Sequence, residues 1–421
     1  MDTLLLARWQ SGLTLVYHFL FVPLTLGLVL LVALMETIYV YSGNENYKHM
    51  ARFWGQLYII NYALGFLTGL LQEFQFGMSW SVFSDVVGNI FGIPLAIETV
   101  LAFFLDATFF GMWLASWNIV SKKMHLSFIW LTALGVYSSA ILILIANDFM
   151  QQPVGYEIQK GVLVLTNVSA LLSNPNFLIA LGHVISGGLI TGAFFVTSIS
   201  AWHLLKRSKG REVFLSSLRL GLLAGLIGCI GIILVGKFQI DHVGEVQPMK
   251  QAAMFGKMSA IPTLQAHYVQ QYGPGNYIPF IPVVEGGFYI MVSIGLFLGL
   301  IALLGCLLLI KNAILRQRWF LRLLLPLIVL PYLANISGWL LREMGRQPWV
   351  IQGVLKTTDA LSPALNFSTI VISLTAFTIV YVALSAIDGL LLMRYARRGI
   401  GDSTEQDAQL EQAQDSAFIA Y

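Results

Sequence analysis

The sequence has few charged residues and few cysteines. Of its 421 residues only 11% are charged, whereas 57% are hydrophobic, and the mean hydropathy is +0.76. This composition excludes an ordinary soluble domain and indicates a polytopic membrane protein. Both cysteines, Cys229 and Cys306, lie in apolar runs, so no disulfide is expected. The sequence also lacks a C-x-x-C-H motif, which excludes a covalently attached c-type heme.

The apolar residues fall into nine stretches that are long enough to cross about 30 Å of hydrocarbon, which takes roughly 20 helical residues. They lie near 12–41, 53–71, 91–117, 126–147, 177–205, 213–235, 279–310, 321–341 and 368–393. We therefore expect an all-α bundle of about nine transmembrane helices in a single domain, 1–400. The first stretch lacks signal-peptide features and is expected to be retained. Residues 401–421 are predicted to form a short polar cytoplasmic tail.

The basic residues predict the orientation, because cytoplasmic loops carry an excess of Lys and Arg. Sixteen of the 24 fall on one side of the predicted spans. They are Lys48, Arg52, Lys122, Lys123, Lys206, Arg207, Lys209, Arg211, Arg219, Lys311, Arg316, Arg318, Arg322, Arg394, Arg397 and Arg398. This pattern places the N-terminus outside and the C-terminus in the cytoplasm.

Five polar or sulfur-bearing residues are then predicted to share the outer part of the bilayer. His18, Glu98 and His183 lie about two turns into their spans, at 1.5 Å per residue. Met291 lies three to four turns into span seven, and Glu343 closes span eight on the outer face. Imidazole, thioether and carboxylate groups at one depth suit heme iron, for which His and Met form a known low-spin pair.

Each of these residues also has an ordinary structural interpretation. A lone Met is usually core, a His can bond across helices, and Glu98 could relay protons without a metal. Two intramembrane histidines are too few for the copper-dependent terminal oxidases, which need about six. The small residues of GHVISGGLITG, 182–192, would admit either a flat macrocycle or a neighbouring helix.

The stretch GWLLREMGRQPW, 338–349, places an acid between two cations at a span end. We expect Glu343 to be held between the guanidinium groups of Arg342 and Arg346. Charges at this depth are costly and mostly survive as functional pairs. The alternative is a structural ion pair that closes a helix.

Several longer motifs resemble a known family. They are YHFLFVPLTLG (17–27), MET-IYV around Glu36, FWG (53–55), EFQFG (73–77), G-PLAIE ending at Glu98, ANDFMQQP (146–153), the Asn-Pro before His183, QPMK (247–250) and GRQPW (345–349). In order and extent they are similar to subunit I of cytochrome bd quinol oxidase. The resemblance implies a copper-free enzyme of the prokaryotic plasma membrane that oxidises quinol and reduces O2 to water.

The resemblance also implies cofactors, partners and residue roles. The cofactors are two hemes b and one heme d, or a third heme b in its place. His183 and Met291 match the low-spin heme b ligands, while His18, Glu98 and Glu343 match the ligands of the other two hemes, without deciding which serves which iron. The implied partners are a second membrane subunit, a small accessory subunit, quinol, O2 and membrane lipid, with no nucleic acid.

Further residues surround these predicted ligands. Arg342 and Arg346 are expected to hold heme propionates or to keep Glu343 ionised, and Trp349 belongs to the same heme environment. In the outer loop 236–278, Lys250 is expected to meet a quinol oxygen, with Gln247 beside it; the alternative is a solvated lysine.

A proton pathway from the cytoplasm is expected along the third and fourth spans. Asp106 lies about 12 Å inward of Glu98 along the helix. With Ser139 and Asn147 it could form a relay, although a buried Asp that caps a neighbouring helix fits equally well.

The chain departs from the family pattern at four places. Phe255, Tyr289 and Lys237 stand where Glu, Arg and Asp are usual, and Asp106 replaces a Glu. These changes leave two alternatives open. One is a heme-binding paralogue without quinol oxidase activity, and the other is an ion or proton transporter.

Overall fold

The structure, a computed structural model, describes residues 2–400 and consists almost entirely of helices. The predicted tail 401–421 lies outside the described residues. The α-helices are α1 (Thr3–His18), α2 (Val22–Ser42), α3 (Glu45–Ser79), α4 (Ser81–Val100), α5 (Ala107–Ala115), α6 (Lys122–Gln151), α7 (Val168–Leu172), α8 (Pro175–Lys206), α9 (Arg211–Val246), α10 (Pro248–Met254), α11 (Ile261–Tyr272), α12 (Ile281–Leu309), α13 (Arg318–Leu324), α14 (Leu330–Met344) and α15 (Phe367–Arg398).

Four short helical segments and four strands complete the described chain. Residues Leu101–Asp106 form a π-helix between α4 and α5, and Ile310–Leu315, Leu325–Ile328 and Thr357–Asp359 form 3-10 segments. Two antiparallel hairpins are present: β1 (Tyr156–Gln159) pairs with β2 (Val162–Leu165), and β3 (Trp349–Ile351) pairs with β4 (Leu355–Lys356). These hairpins are small additions, and the expected helical bundle is confirmed.

Eight helical runs in the described part are long and apolar enough to cross a membrane. They are Thr3–Ser42, Ser81–Ala115, Lys122–Gln151, Val168–Lys206, Arg211–Val246, Ile281–Leu315, Arg318–Met344 and Phe367–Arg398. The one remaining predicted stretch, 53–71, lies within the 35-residue α3 and is not among these eight runs. Polar residues lower its hydropathy: buried Asn61, for example, donates to the Phe21 carbonyl and to Thr25. By length and composition, eight of the nine predicted stretches therefore belong to candidate membrane spans.

The first predicted span, 12–41, is not one helix. Helix α1 ends at His18, and α2 begins at Val22 with Pro23 in its first turn. Proline suits the first turn of a helix because it has no N–H to donate. His18 therefore lies at the C-terminal end of a helix, inside the apolar run Thr3–Ser42, and not two turns into a continuous helix.

The outer loop is also more ordered than predicted. Helix α9 continues to Val246, so the predicted loop boundary at 236 is about three turns too early. The remaining segment up to Ile281 is mostly folded into α10 and α11. This places Lys250 on a helix directly after α9.

The small residues of α8 bring two helices together. A Cβ atom added to Gly27 of α2 would lie 2.1 Å from the Gly188 carbonyl oxygen and 2.8 Å from Gly192 Cα. No side chain larger than hydrogen fits this crossing. Of the two interpretations of the 182–192 motif, the structure favours a neighbouring helix at Gly188 and Gly192.

Candidate functional site

The C-terminal end of α14 carries a buried network of charges. Arg346 donates to Glu343 Oε2, while Glu343 Oε1 accepts from Asn147 Nδ2 at 3.0 Å and from Gln151 Nε2 at 3.3 Å. Both side chains that reach over from another helix come from α6. The Glu343 carboxylate is therefore surrounded by donors, an arrangement that stabilises its ionised form.

Arg342 has a different partner from the predicted one. Its guanidinium pairs with Asp148, a fully buried residue of α6, and its Nε donates to Asn147 Oδ1 at 2.8 Å. Asp148 also accepts from Asn176 of α8 at 2.6 Å. Glu343 therefore contacts only one of the two guanidinium groups directly, that of Arg346, and the prediction that it is held between both is wrong. Asp148 lies in the ANDFMQQP motif, but no role was predicted for it.

Lys250 is buried against this network and is not a solvated loop lysine. Only 5% of it is exposed, and Nζ donates to Gln151 Oε1 at 3.0 Å and to the Arg342 carbonyl at 2.8 Å. Burial, followed by the nearby cation of Arg342, lowers the pKa of Lys250 well below its usual value. The solvated alternative is therefore excluded by the structure.

A small cavity of about 10 Å³ adjoins Lys250 near the start of α10. Its lining includes Gln247, Tyr268, Tyr277, Arg346 and Trp349. Buried polar atoms without a hydrogen-bond partner occur on three of these residues, namely Gln247 Oε1, Arg346 Nε and Nη1, and Trp349 Nε1. Since buried polar groups are normally paired, an oxygen that accepts from Arg346 or Trp349 would satisfy these unpaired donors.

His183 and Met291 lie on helices that flank α14. Gly187, one turn after His183 on α8, faces Asn335 of α14, because an added Cβ would lie 3.1 Å from Asn335 Oδ1. On the other flank, a Cβ on Gly338 would lie 2.6 Å from Met291 Sδ. Nδ1 of His183 is buried without a hydrogen-bond partner. Both predicted ligands thus border the same helix, and a polar atom of one is left unpaired.

His18 approaches the same helix through its neighbour in sequence. Phe19 contacts Trp339 of α14, with ring centroids 5.8 Å apart. The His18 ring itself contacts α3, where Nδ1 lies 2.8 Å from Thr68 Oγ1. Helix α14 therefore connects the surroundings of all three predicted nitrogen and sulfur ligands.

Helix α6 positions both predicted carboxylate ligands. Ser139 donates to Glu98 Oε1, and Asn147, two turns further along, donates to Glu343. Eight residues of helix correspond to about 12 Å, which sets the spacing of the two anchoring points. The predicted proton pathway residues Ser139 and Asn147 thus serve different carboxylates.

The surroundings of Glu98 and Asp106 include residues that were not predicted. Glu73 of α3 lies close to Glu98, and Tyr62 of α3 lies close to Asp106. Asp106 is 2% exposed and lies against Gly135, whose small size the close contact requires. Glu73 belongs to the EFQFG motif, so its acidic side chain in an apolar stretch was a signal that could have been used.

Comparisons with known proteins show the family to which the chain belongs. A sequence model of the family described as cytochrome bd terminal oxidase subunit I matches residues 6–272 and 261–400. The chain belongs to this family. It is 39% identical to cytochrome bd ubiquinol oxidase subunit 1 of Bacillus subtilis (strain 168), over 97% of this chain and 96% of that relative.

Two further similarities cover nearly the whole bd oxidase subunit. The chain is 34% identical to cytochrome bd-II ubiquinol oxidase subunit 1 of Escherichia coli (strain K12), over 98% of this chain and 99% of the relative. It also resembles the solved bd oxidase from Geobacillus thermodenitrificans with a TM-score of 0.84 at 26% identity, covering 94% of this chain and 99% of that one. The expected family is confirmed, and with it a terminal oxidase subunit of the prokaryotic plasma membrane.

The structure shows the contacts and exposure of the residues that depart from the bd oxidase pattern. Phe255 packs edge-on against Phe288 with centroids 5.2 Å apart, and Lys257 Nζ lies 5.3 Å from the Phe255 ring centroid. Tyr289 is 50% exposed, and Lys237 is exposed on α9. An aromatic cluster thus occupies the place of one usual carboxylate, outside the network of Lys250 and Glu343.

Proposed function

We propose that this chain is the heme-bearing catalytic subunit of a copper-free terminal oxidase that oxidises quinol at the outer face and reduces O2 to water. The observation that carries the proposal is the common neighbourhood of the predicted ligands. His183 and Met291 border α14, Phe19 next to His18 contacts it, and Glu343 lies on it. Glu98 is linked to the same group through α6.

The proposal assigns the ligands in two groups. His183 and Met291 hold the low-spin heme b. His18, Glu98 and Glu343 hold the high-spin heme b and a heme d, or a third heme b. When bound, these hemes supply electron transfer and the reduction of O2. The donor atoms of Arg346 without partners support a carboxylate-bearing group such as a heme propionate beside it.

The quinol site is proposed at the outer cavity. With its lowered pKa, the Lys250 amine is neutral over a wider pH range, and a neutral amine has two N–H groups and one lone pair. Its two observed hydrogen bonds use the N–H groups and leave the lone pair free. Lys250 can therefore accept the proton of a quinol hydroxyl, while the unpaired Gln247 Oε1 can accept a hydrogen bond from the ring's other hydroxyl.

Protons for water formation are proposed to come from the cytoplasm through Asp106, Ser139 and Glu98. Asp106 is buried at the C-terminal end of the π-helix, and Glu98 precedes this helix in α4. Ser139 already donates to Glu98. Each proton taken up in this way moves charge across the membrane, which is worth about 2.3 kcal/mol per 100 mV. Energy is then conserved without a pump.

The proposed assembly follows from orientation and from exposed surface. The N-terminus lies outside and the C-terminus in the cytoplasm, in agreement with the distribution of Lys and Arg. Helices α12 and α15 expose large apolar side chains, among them Leu300 and Ile372. Such surfaces need lipid or another membrane subunit against them, in agreement with a second subunit and a small accessory subunit.

The proposal is tested on the purified complex by measuring heme content together with quinol-dependent O2 uptake. A full heme complement with O2 uptake that depends on added quinol is the expected result. A sample without heme absorbance would contradict it and would favour the transporter alternative.

A second candidate function is a heme-binding paralogue without quinol oxidation, which the aromatic surroundings of Phe255 favour. It predicts full heme content but only background O2 uptake with either ubiquinol or menaquinol. The same measurement therefore separates the two.

A further inference from the structure

His18 ends α1, and its ring is held by α3. Thr68 of α3 is fully buried, and its Oγ1 lies 2.8 Å from His18 Nδ1. Gly69, the next residue, faces the ring: an added Cβ would lie 3.3 Å from His18 Cε1 and 3.9 Å from Nε2. Helix α3 thus contacts Nδ1 of the ring through Thr68 and lies against the ring edge at Cε1 through Gly69.

The hydrogen bonds of Thr68 determine which nitrogen carries the proton. Thr68 Oγ1 donates its single proton to the Gly65 carbonyl at 2.7 Å, so it can only accept from His18. The proton of a neutral His18 therefore lies on Nδ1. Nε2 then carries the lone pair that a metal requires.

Tyr381 of α15 fixes Thr68 from the other side. Its hydroxyl donates to the Thr68 carbonyl at 2.6 Å, and the side chain is fully buried. The Tyr381 ring also contacts Tyr17, which precedes His18, with centroids 6.2 Å apart. One residue of α15 therefore holds both helices that determine the position of the His18 ring.

We propose that Thr68, held by Tyr381, is a positioning residue that presents Nε2 of His18 to heme iron. This inference rests on the proposed role of His18 as a ligand. An acceptor on Nδ1–H fixes the orientation of a ligating imidazole and raises its basicity, and removing such an acceptor typically lowers metal affinity about 10- to 100-fold. A more basic ligand also favours ferric over ferrous iron, which lowers the midpoint potential.

The test compares three variants of the complete oxidase. Thr68→Val removes the hydroxyl but keeps the branched shape, Thr68→Ser keeps the hydroxyl, and Tyr381→Phe removes only the support of the Thr68 backbone. Thr132→Val is the matched control, since Thr132 of α6 is also fully buried and donates to a backbone carbonyl, that of Phe128, at 2.9 Å. The readouts are heme retention, the iron–histidine stretching frequency by resonance Raman spectroscopy, and the midpoint potential.

We expect Thr68→Val to lower the stretching frequency, raise the midpoint potential and weaken heme retention about 10- to 100-fold. Thr68→Ser should restore all three readouts, Tyr381→Phe should shift them in the same direction by less, and Thr132→Val should match the unaltered protein. If the three readouts of both Thr68→Val and Tyr381→Phe equal those of Thr132→Val, the inference is overturned.

His18→Ala separates this inference from the proposed function. Loss of one heme in His18→Ala, with no effect of the Thr68 and Tyr381 variants, refutes only the positioning role. Retention of every heme in His18→Ala refutes the ligand role and the positioning role together.

Discussion

Replacing Gly338 by alanine is expected to displace Met291. Gly338 of α14 faces the thioether so closely that an added Cβ would lie 2.6 Å from Sδ. Ordinary contacts between nonbonded heavy atoms fall at roughly 3.5–4.0 Å. The sulfur must therefore move by about 1 Å, or α14 must move by the same amount.

A displacement of this size exceeds what a ligand tolerates. Productive site geometry is held within about 0.5 Å, and a misplacement of about 1 Å can cost 100-fold in rate. We therefore expect Gly338→Ala to lose the low-spin heme b signal in the reduced-minus-oxidised spectrum and to lower electron transfer from quinol about 100-fold. Heme bound at the other proposed sites should persist, because Gly338 contacts only the Met291 side chain among the predicted ligands.

Gly295→Ala provides the matched control for this experiment. Gly295 lies one turn after Met291 on α12, and an added Cβ there would meet no atom within 4 Å. The control should keep the spectrum and the rate. A Gly338→Ala oxidase with an unchanged low-spin spectrum would contradict the proposal that Met291 holds this heme.

Three other changes have distinct expected outcomes. Because the pKa of Lys250 is lowered, the rate of quinol oxidation should rise with pH as the Lys250 amine loses a proton. Lys250→Met should raise the KM for quinol and abolish this rise. An unchanged pH profile in Lys250→Met would exclude Lys250 as the base. Ser139→Ala removes the hydrogen bond to Glu98, which is worth roughly 1.5–3 kcal/mol, so proton uptake by reconstituted vesicles should slow about 10- to 100-fold. Normal uptake would remove Ser139 from the pathway. Phe255→Glu should lower the KM for quinol without altering heme spectra, and an increased KM would show that the aromatic cluster is itself part of the quinol site.

The general architecture could be predicted because membrane burial acts on long stretches of sequence. Apolar runs of about 20 residues determine which stretches form long helices, with little dependence on side-chain detail. The errors occurred where local chemistry overrides that pattern. Pro23 starts a new helix inside an apolar run, and α9 continues for about three turns into the predicted loop.

The sequence supplied the candidate residues, whereas their contacts could be described only from the structure. The unusual residues of the apolar runs identified Glu98, His183 and Glu343, because ionisable groups at membrane depth are rare. Which carboxylate Arg342 contacts depends on how α6, α8 and α14 pack, and the sequence carries no periodic signal for that choice. Thr68 and Tyr381 lie far apart in sequence and are ordinary residues of membrane helices, so only their hydrogen bonds reveal a connection with His18.

The most direct test of heme ligation is the reduced-minus-oxidised optical spectrum of His183→Ala in the purified oxidase. We expect the low-spin heme b band to disappear while the absorbance of the remaining hemes is retained, because the proposal assigns His183 to that heme alone. A spectrum identical to that of the unaltered oxidase would contradict the assignment of His183, and with it the proposed arrangement of hemes around α14.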